Sequence, residues 1–384
     1  MGSGGAERQL ANLVSNTSCE VAEHIVCAFN NIEFLAPQIR NAGHQVIELG
    51  VGEKHPFFSG ALAFRRAIAR FRPDVIHTWL YDGNITSRLA RLSYGKIPMI
   101  TSLQLADYEP EAARIGSWNQ HKVGVLKAID RFTAWLTDPY FVACSEFVST
   151  SYRRYFGIPA ERSEVIPNSF DPAYLESTGR PICELREELE LPDNAFVYLN
   201  VGRLDPQKNH RTMIEAFRRV AASIPNAYFL FAGIGLLEEE IRAIANDSGV
   251  RDRIRLLGRR DDVGDLLELA DVFVFPSFFE GLPVALIEAM SKRLPCVSSN
   301  IGVFTEVIDE FETGLLIDPA SSTDLAEAMM RLYHDAELRD RLGENAYRMA
   351  LQRYSIGVNL VKWEDLYRKT AANPRDFKSK LPEN

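Results

Sequence analysis

Cysteine is scarce in this chain and long apolar runs are missing, and each shortage removes a class of protein. Cys19, Cys27, Cys144, Cys183 and Cys296 are the only cysteines in 384 residues, and none stands in a C-x-x-C pair. Neither a zinc site nor a disulfide framework is readable, and the five read as buried thiols of a cytosolic protein. No apolar stretch approaches a membrane span, and the N-terminus shows no signal-peptide pattern. A basic excess is also missing. The formal charge is −9, with 17 basic and 17 acidic side chains in residues 1–171 against 26 and 35 in residues 172–384. A neutral half joined to an acidic half argues against a nucleic-acid partner, although Arg65, Arg66, Arg70 and Arg72 leave a local basic face on the first half. Gly233 and Gly235 form a lone G-x-G without the third glycine and downstream acid of a dinucleotide fingerprint, which argues against NAD.

What is present points to an α/β chain. An apolar fraction of 46% and a charged fraction of 25% are ordinary for a globular protein, and the length suits two domains. In the first half HIVCAFN, HQVIELG, VIHTWL, IPMITSL and YFVACSEF read as strands; in the second, AFVYLNVGRL, YFLFAG and IRLLG do. Glu33–Ala42, Ser59–Arg72, Ile85–Tyr94 and Ser149–Phe156 read as helices, and Glu109–Ser117 as a polar loop. In Trp118–Leu136 the residues Val123, Leu126, Ile129, Phe132, Ala134 and Trp135 recur at helical spacing. They read as a core-facing stripe in preference to a membrane-binding face. His77 stands near the C-terminal end of the strand VIHTWL, with Asp82 and Asn84 after it, where open parallel sheets bind ligands, though a histidine there is more commonly structural.

The stretch from Leu266 to Pro319 organises the rest. Val272–Phe275 is a fully apolar run closed by Pro276, the loop Ser277–Gly281 follows, and Pro283 opens an apolar-periodic segment through Met290. A helix start carries N–H groups without partners and partial positive charge, so it suits an anion. Glu280 stands ahead of this helix and Glu288 along it. Upstream, in VGRLDPQKN, Gly202 permits close approach, while Arg203 and Lys208 supply cations for concentrated negative charge.

In that setting PSFFEGLPVALIEAM, with LPCVSS and TGLLIDP after it, resembles the E-x7-E region of retaining glycosyltransferases, and specifically glycosyltransferase family 4, the group 1 glycosyltransferases. The resemblance implies a GT-B fold: two doubly wound Rossmann-like domains facing a central cleft. Residues 1–171 would bind the acceptor and 172–352 the donor; 353–372 would form a helix crossing back to the first domain, and 373–384 a polar tail. GSGGAERQ resembles the family's glycine-rich loop, with Gly4 and Gly5 open to substrate, yet the strand that should precede it is missing, and an unstructured start is the alternative. Gln104 occupies the place of a histidine in many relatives; it can donate a hydrogen bond to a sugar but cannot carry a proton. EVIPNSFD resembles the I-P-N-G-V-D junction, with Ser169 for the glycine.

By the same resemblance Glu288 would bind the nucleotide ribose and Glu280 hydroxyls of the donor sugar. Arg203 and Lys208 would stabilise the departing diphosphate. Gly202, Gly233, Gly258 and Arg259 would lie against the nucleotide, and the amides of Gly281, Leu282 and Pro283 would hold donor groups. The implied reaction moves a sugar, with retention, from a UDP- or GDP-type nucleotide sugar to a glycan or lipid-linked acceptor in surface polysaccharide biosynthesis. No protein nucleophile, metal or cofactor is implied, and the domains are expected to close on the ligands. The resemblance places the protein in the cytoplasm, with peripheral contact to the inner face of the membrane through the first domain. A degenerate sugar-binding or scaffold subunit and a GT-B-type sugar isomerase are the alternatives.

Overall fold

The computed structural model describes residues 4–29, 35–51, 56–94, 97–110, 115 and 120–372. Two compact units result. The first comprises the described residues within 1–113, 117–168 and 356–384; the second is essentially Ser169–Ser355. Residues Gly2, Glu33, Trp118 and the 373–384 tail, on which expectations fell, lie outside the described residues.

The first unit runs α1 (Gly5–Asn16), β1 (Ile25–Ala28), α2 (Ala36–Asn41), β2 (Gln45–Glu48), α3 (Pro56–Phe71), β3 (Ile76–Trp79), α4 (Tyr81–Arg91), β4 (Met99–Leu103), α5 (Gln120–Thr137), β5 (Tyr140–Ala143), α6 (Glu146–Tyr155) and β6 (Ser163–Val165). All described pairings are parallel, but the strands form two sheets, β1–β2 and β3–β4–β5–β6, where the alternation suggests one. The C-terminal helix Ile356–Ala372 packs in this unit: Trp363, Leu366 and Tyr367 share a core with Leu13, Ile100, Val142 and Ile166. The strand in YFVACSEF stops at Ala143 because Ser145 caps α6, its Oγ accepting from the Val148 amide at 3.1 Å.

Two expectations fail in this unit. The stripe on α5 faces the core only in part: Ala134 is buried and Val123 and Leu126 are half-buried, but Ile129, Phe132 and Trp135 are exposed, and Asp130, Thr133 and Thr137 are buried instead. A polar face can turn inward here because Arg88 of α4, itself buried, pairs with Asp130. The five cysteines are not uniformly buried either. Cys144 and Cys296 are, but Cys19 and, in the second unit, Cys183 are exposed, since they sit in polar turn and helix segments outside the strands.

The second unit runs α7 (Ile182–Glu188), β7 (Phe196–Val201), α8 (His210–Ser223), β8 (Ala227–Ala232), α9 (Glu238–Asp247), β9 (Ile254–Gly258), α10 (Val263–Leu269), β10 (Val272–Phe275), α11 (Val284–Ser291), β11 (Cys296–Ser299), α12 (Phe304–Val307), β12 (Leu315–Ile317), α13 (Ser322–His334) and α14 (Ala336–Tyr354). Its strands form one parallel sheet in the order β12-β11-β10-β7-β8-β9. β7, β8 and β10 are aromatic and β-branched and almost wholly buried, as a sheet covered on both faces requires. The unit starts at Ser169, slightly before the expected boundary, because Phe170 donates to the Tyr354 carbonyl at 3.0 Å and bridges Ser355. Ser169 is not among the positive-φ residues, so the glycine it replaces is not needed for its backbone.

Candidate active site

Chain order runs one way from β7 through β8 and β9 and the other way from β10 through β11 and β12. The point of reversal, between β7 and β10, is where open parallel sheets leave a crevice beyond their carboxyl ends. The loops leaving these strands are Gly202–Asn209 and Pro276–Pro283, which contain most of the residues expected at the donor site.

The two loops are fastened together. Gln207 accepts from the Phe278 amide at 2.9 Å through its carbonyl and donates to the Phe279 carbonyl at 2.6 Å through its side chain. Asn209, in the left-handed region at φ 62°, donates to the carbonyls of Pro276 and Pro319 at 3.0 and 2.6 Å. Between them Lys208 Nζ meets Glu280 Oε1 at 2.5 Å and sits 4.7 Å from the centre of the Phe275 ring. Glu280 and Glu288 are both buried, Glu288 on the inner side of α11 with Leu286, Ile287 and Ala289. Behind this pair His210 opens α8 with a buried imidazole, tilted on Phe231, whose pKa burial and the Lys208 charge push down to about 3.

Arg203 stands apart from the Lys208–Glu280 contact. Its guanidinium pairs with Asp205 at 2.9 Å and is largely exposed. Gly202 sits against Lys208 and Phe275 with ordinary contact distances for an added Cβ, so close backbone packing does not demand glycine there. Gly233 is different: at φ 153° its added Cβ would lie 1.9 Å from the Gly202 carbonyl oxygen. Its amide donates to the Gly258 carbonyl at 2.7 Å, and Leu204 donates to Ile234 at 3.1 Å, so the loops after β7, β8 and β9 form one backbone-bonded rim. Gly258 takes φ 64°, and Arg259 beyond it pairs with Asp261 at 3.6 Å. Pro283 occupies the N-cap of α11 ahead of its first turn, and its carbonyl accepts from Leu286 and Ile287. Having no N–H, it cannot donate to a ligand; of the three expected amides only Gly281 and Leu282 can.

In the first unit the expected acceptor residues are spread over the start of α1, β3 and the end of β4. Gly4 caps α1 in extended backbone, and Gly5 begins the helix with open space where a side chain would go. Gln104, just past β4, accepts from Asn168 at 2.9 Å. His77 has both nitrogens engaged, Nδ1 with the Tyr367 hydroxyl at 2.8 Å and Nε2 with Ser102 Oγ at 2.7 Å. Burial and, after it, the neighbouring His24 push its pKa down to about 3, which keeps it a neutral packing group. Asp82 lies in the first turn of α4 and Asn84 is buried on the same helix. Sequence reasoning passed over Gln207, Asn209 and Asn168, and also Asp107, whose carboxylate accepts from Tyr152 at 3.1 Å while burial raises its pKa to about 7. The K-N pair at the end of VGRLDPQKN was the one available signal, since asparagine is favoured at a left-handed position.

Comparison with known proteins identifies the family and the fold. Residues 182–349 match the family described as Glycosyl transferases group 1, and residues 3–174 that described as Glycosyltransferase Family 4. The chain is 35% identical over 313 residues to UDP-Gal:alpha-D-GlcNAc-diphosphoundecaprenol alpha-1,3-galactosyltransferase of Escherichia coli, across 80% of this chain and 78% of that one. It is 23% identical over 350 residues to N-acetylgalactosamine-N,N'-diacetylbacillosaminyl-diphospho-undecaprenol 4-alpha-N-acetylgalactosaminyltransferase of Campylobacter jejuni, across 88% and 89% of the two. The structure of Anabaena Alr3699/HepE in complex with UDP is similar in fold, with a TM-score of 0.80 over 96% of this chain and 97% of that one at 20% identity. The chain is therefore a glycosyltransferase of the GT-B fold and belongs to glycosyltransferase family 4, the group 1 glycosyltransferases.

Proposed function

We propose that this enzyme transfers a hexosyl unit, with retention of anomeric configuration, from a nucleoside diphosphate sugar to a lipid-linked glycan used in surface polysaccharide. The observation that carries the reading is the Lys208–Glu280 contact at the β7/β10 switch point, with Glu288 one helix beyond. Names of the two relatives above, both acting on diphospho-undecaprenol-linked sugars, support the acceptor class, and the first supports UDP as the donor base.

In this reading the donor diphosphate enters the rim and takes Lys208 as a charge partner, with Arg203 turning from Asp205 to join it. Glu280 then holds sugar hydroxyls, and Glu288 the ribose. The bond between the anomeric carbon and the diphosphate oxygen breaks as the acceptor oxygen bonds to the same face. The acceptor proton passes to the leaving phosphate, so no protein nucleophile is required. Preorganised cations beside a developing anion are worth most where water is excluded. We expect no dependence on a divalent metal, action at the inner membrane face, and closure of the two units on the ligands.

Thermal-shift measurements with UDP, GDP and ADP, with and without EDTA, test the donor site. A ligand that binds only the native state at about 100 Kd adds about 2.7 kcal/mol. The expected result is a shift by UDP that EDTA leaves alone and that Glu288→Ala abolishes. A shift that EDTA removes, or none with any nucleotide, overturns the reading.

A further inference from the structure

Arg203 and Asp205 are held in register by the residue between them. Leu204 is buried, its amide donates to the Ile234 carbonyl at 3.1 Å, and its carbonyl accepts from the Leu237 amide at 2.9 Å. The opposing turn is fitted closely to it: a Cβ on Gly235 would stand 2.6 Å from both the Leu204 nitrogen and the Leu204 oxygen. The Asp205 amide donates back to the Arg203 carbonyl at 2.9 Å, and the Asp205 carbonyl accepts from the Lys208 amide at 3.0 Å. The backbone thus fixes this acid between the two cations of the loop.

The Arg203–Asp205 pair is unequal. The Asp205 side chain is 12% exposed and that of Arg203 is 61% exposed. Asp205 Oδ2 meets the guanidinium at 2.9 Å, and Oδ1 accepts from the Leu236 amide at 3.4 Å, a long bond. A carboxylate so covered depends on its partner, whereas an exposed guanidinium is hydrated wherever it turns. Arg203 is therefore the member that can leave, and Asp205 the one that stays. To a guanidinium a carboxylate and a phosphate present the same kind of anionic oxygen acceptor. Asp205 occupies Arg203 as a phosphate would.

We propose that Asp205 is a positioning residue that competes with the ligand's diphosphate for Arg203, weakening the hold on a nucleoside diphosphate and recapturing the guanidinium as the product departs. This rests on the donor reading above. A nucleoside diphosphate set free by transfer carries about one more negative charge on its terminal phosphate than the sugar ester does. Two unopposed cations would hold that product more firmly than the substrate. An internal competitor loosens both, and it matters most for the tighter of the two, whose release it speeds.

Titration calorimetry of the full chain with UDP, inorganic pyrophosphate and uridine is the test. Asp205→Asn keeps an acceptor for the Leu236 amide and is expected to tighten UDP and pyrophosphate about fivefold, the worth of an ion pair with one exposed member, and to leave uridine unchanged. Arg203→Gln weakens UDP about tenfold or more, and Asp205→Asn adds nothing in that background. In turnover of a UDP-sugar, Asp205→Asn lowers KM, sharpens inhibition by UDP and does not raise kcat, whereas simple damage to the loop would raise KM. Urea unfolding gives a readout free of turnover: the two residues are coupled in a double-variant cycle, and saturating UDP removes the coupling. Asp205→Ser carries the same test if Asp205→Asn does not fold. Unchanged or weaker binding of both UDP and pyrophosphate by a folded Asp205 variant, tightening that persists beside Arg203→Gln, or no coupling without ligand would each overturn the proposal. Tighter pyrophosphate in Asp205→Asn, with no UDP, GDP or ADP bound by the wild type, supports the competition and counts against the donor reading instead.

Discussion

Lys208 and Glu280, 72 residues apart in the chain, meet at 2.5 Å with side chains only 13 and 10% exposed. The contact joins the loop after β7 to the loop after β10 and so closes the switch point from both sides. It also sets two opposite charges in a site that, on the proposed reading, receives a doubly charged diphosphate and a neutral sugar. Each charge then has a ligand partner to take up when the other is given away.

The pair should be coupled in stability as well as in activity. Removing one member of a buried pair leaves the other without compensation, at about 3–5 kcal/mol. Lys208→Met and Glu280→Gln should each lower stability, Lys208→Met the more because a glutamine amide can still accept from Lys208 whereas methionine gives Glu280 no partner. The double variant should recover part of that loss. Both singles should reduce kcat by about 10²–10³-fold, as for loss of one electrostatic contact to a developing anion. Urea denaturation and steady-state kinetics check this; strictly additive stability losses would refute the coupling.

Asn209 is expected to position Lys208 without touching a ligand. Its two buried hydrogen bonds to Pro276 and Pro319 anchor the loop, and its left-handed backbone suits asparagine or glycine. Asn209→Ala loses both and adds backbone strain, at a cost of about 2–4 kcal/mol. Asn209→Gly relieves the strain but not the lost bonds. Activity should fall in both variants, and stability more in Asn209→Ala. Equal unfolding midpoints for the two would contradict the account.

Two glycines of the rim should differ in tolerance. A Cβ on Gly233 would collide with the Gly202 carbonyl, whereas one on Gly202 meets nothing nearer than 3.7 Å. Gly233→Ala should cost about 3 kcal/mol or more, the range of backbone strain and overpacking together. Gly202→Ala should fold normally, and any effect on it should appear in nucleotide binding. Circular dichroism melting and UDP titration of both variants separate the two cases.

Acid should weaken the first unit through its histidines. Burial, then the charge of His44, pushes the His24 pKa to about 4; burial, then His24, pushes His77 to about 3. In the unfolded chain both titrate near about 6.5, so below that pH the unfolded state binds more protons and stability falls toward about pH 4. Asp107, raised to about 7, acts in the opposite direction, its contribution falling as pH rises from about 4 to 7. His77→Gln should therefore flatten the acid side of the stability profile. A slope unchanged from wild type would rule out a neutral, half-buried His77.

Local signals carried much of the architecture. Fully apolar runs such as Val272–Phe275 and Phe196–Leu199 cannot be solvated on either face, so they read correctly as strands of a covered parallel sheet. Glu280, Glu288 and Lys208 stood out as candidates because glycines, prolines and strand patterns around them constrain one another within a short stretch. Gln207 and Asn209 were not, because their partners, Phe278, Phe279, Pro276 and Pro319, lie far along the chain and leave no trace in local pattern.

By itself the amino-acid sequence determined the order of strands and helices, the loops that carry charge, and the two-faced character of α5, since each depends on spacing within a few residues. Only the tertiary structure decided which strands are neighbours, and hence that Lys208 meets Glu280. It also decided which face of α5 turns inward. Periodicity divides a helix into two sides, but burial of the polar one depends on whether a neighbour compensates it, and here Arg88 of α4 does so for Asp130. That compensation comes from another helix, so it leaves the apolar side of α5 exposed for a reason its own residues do not contain.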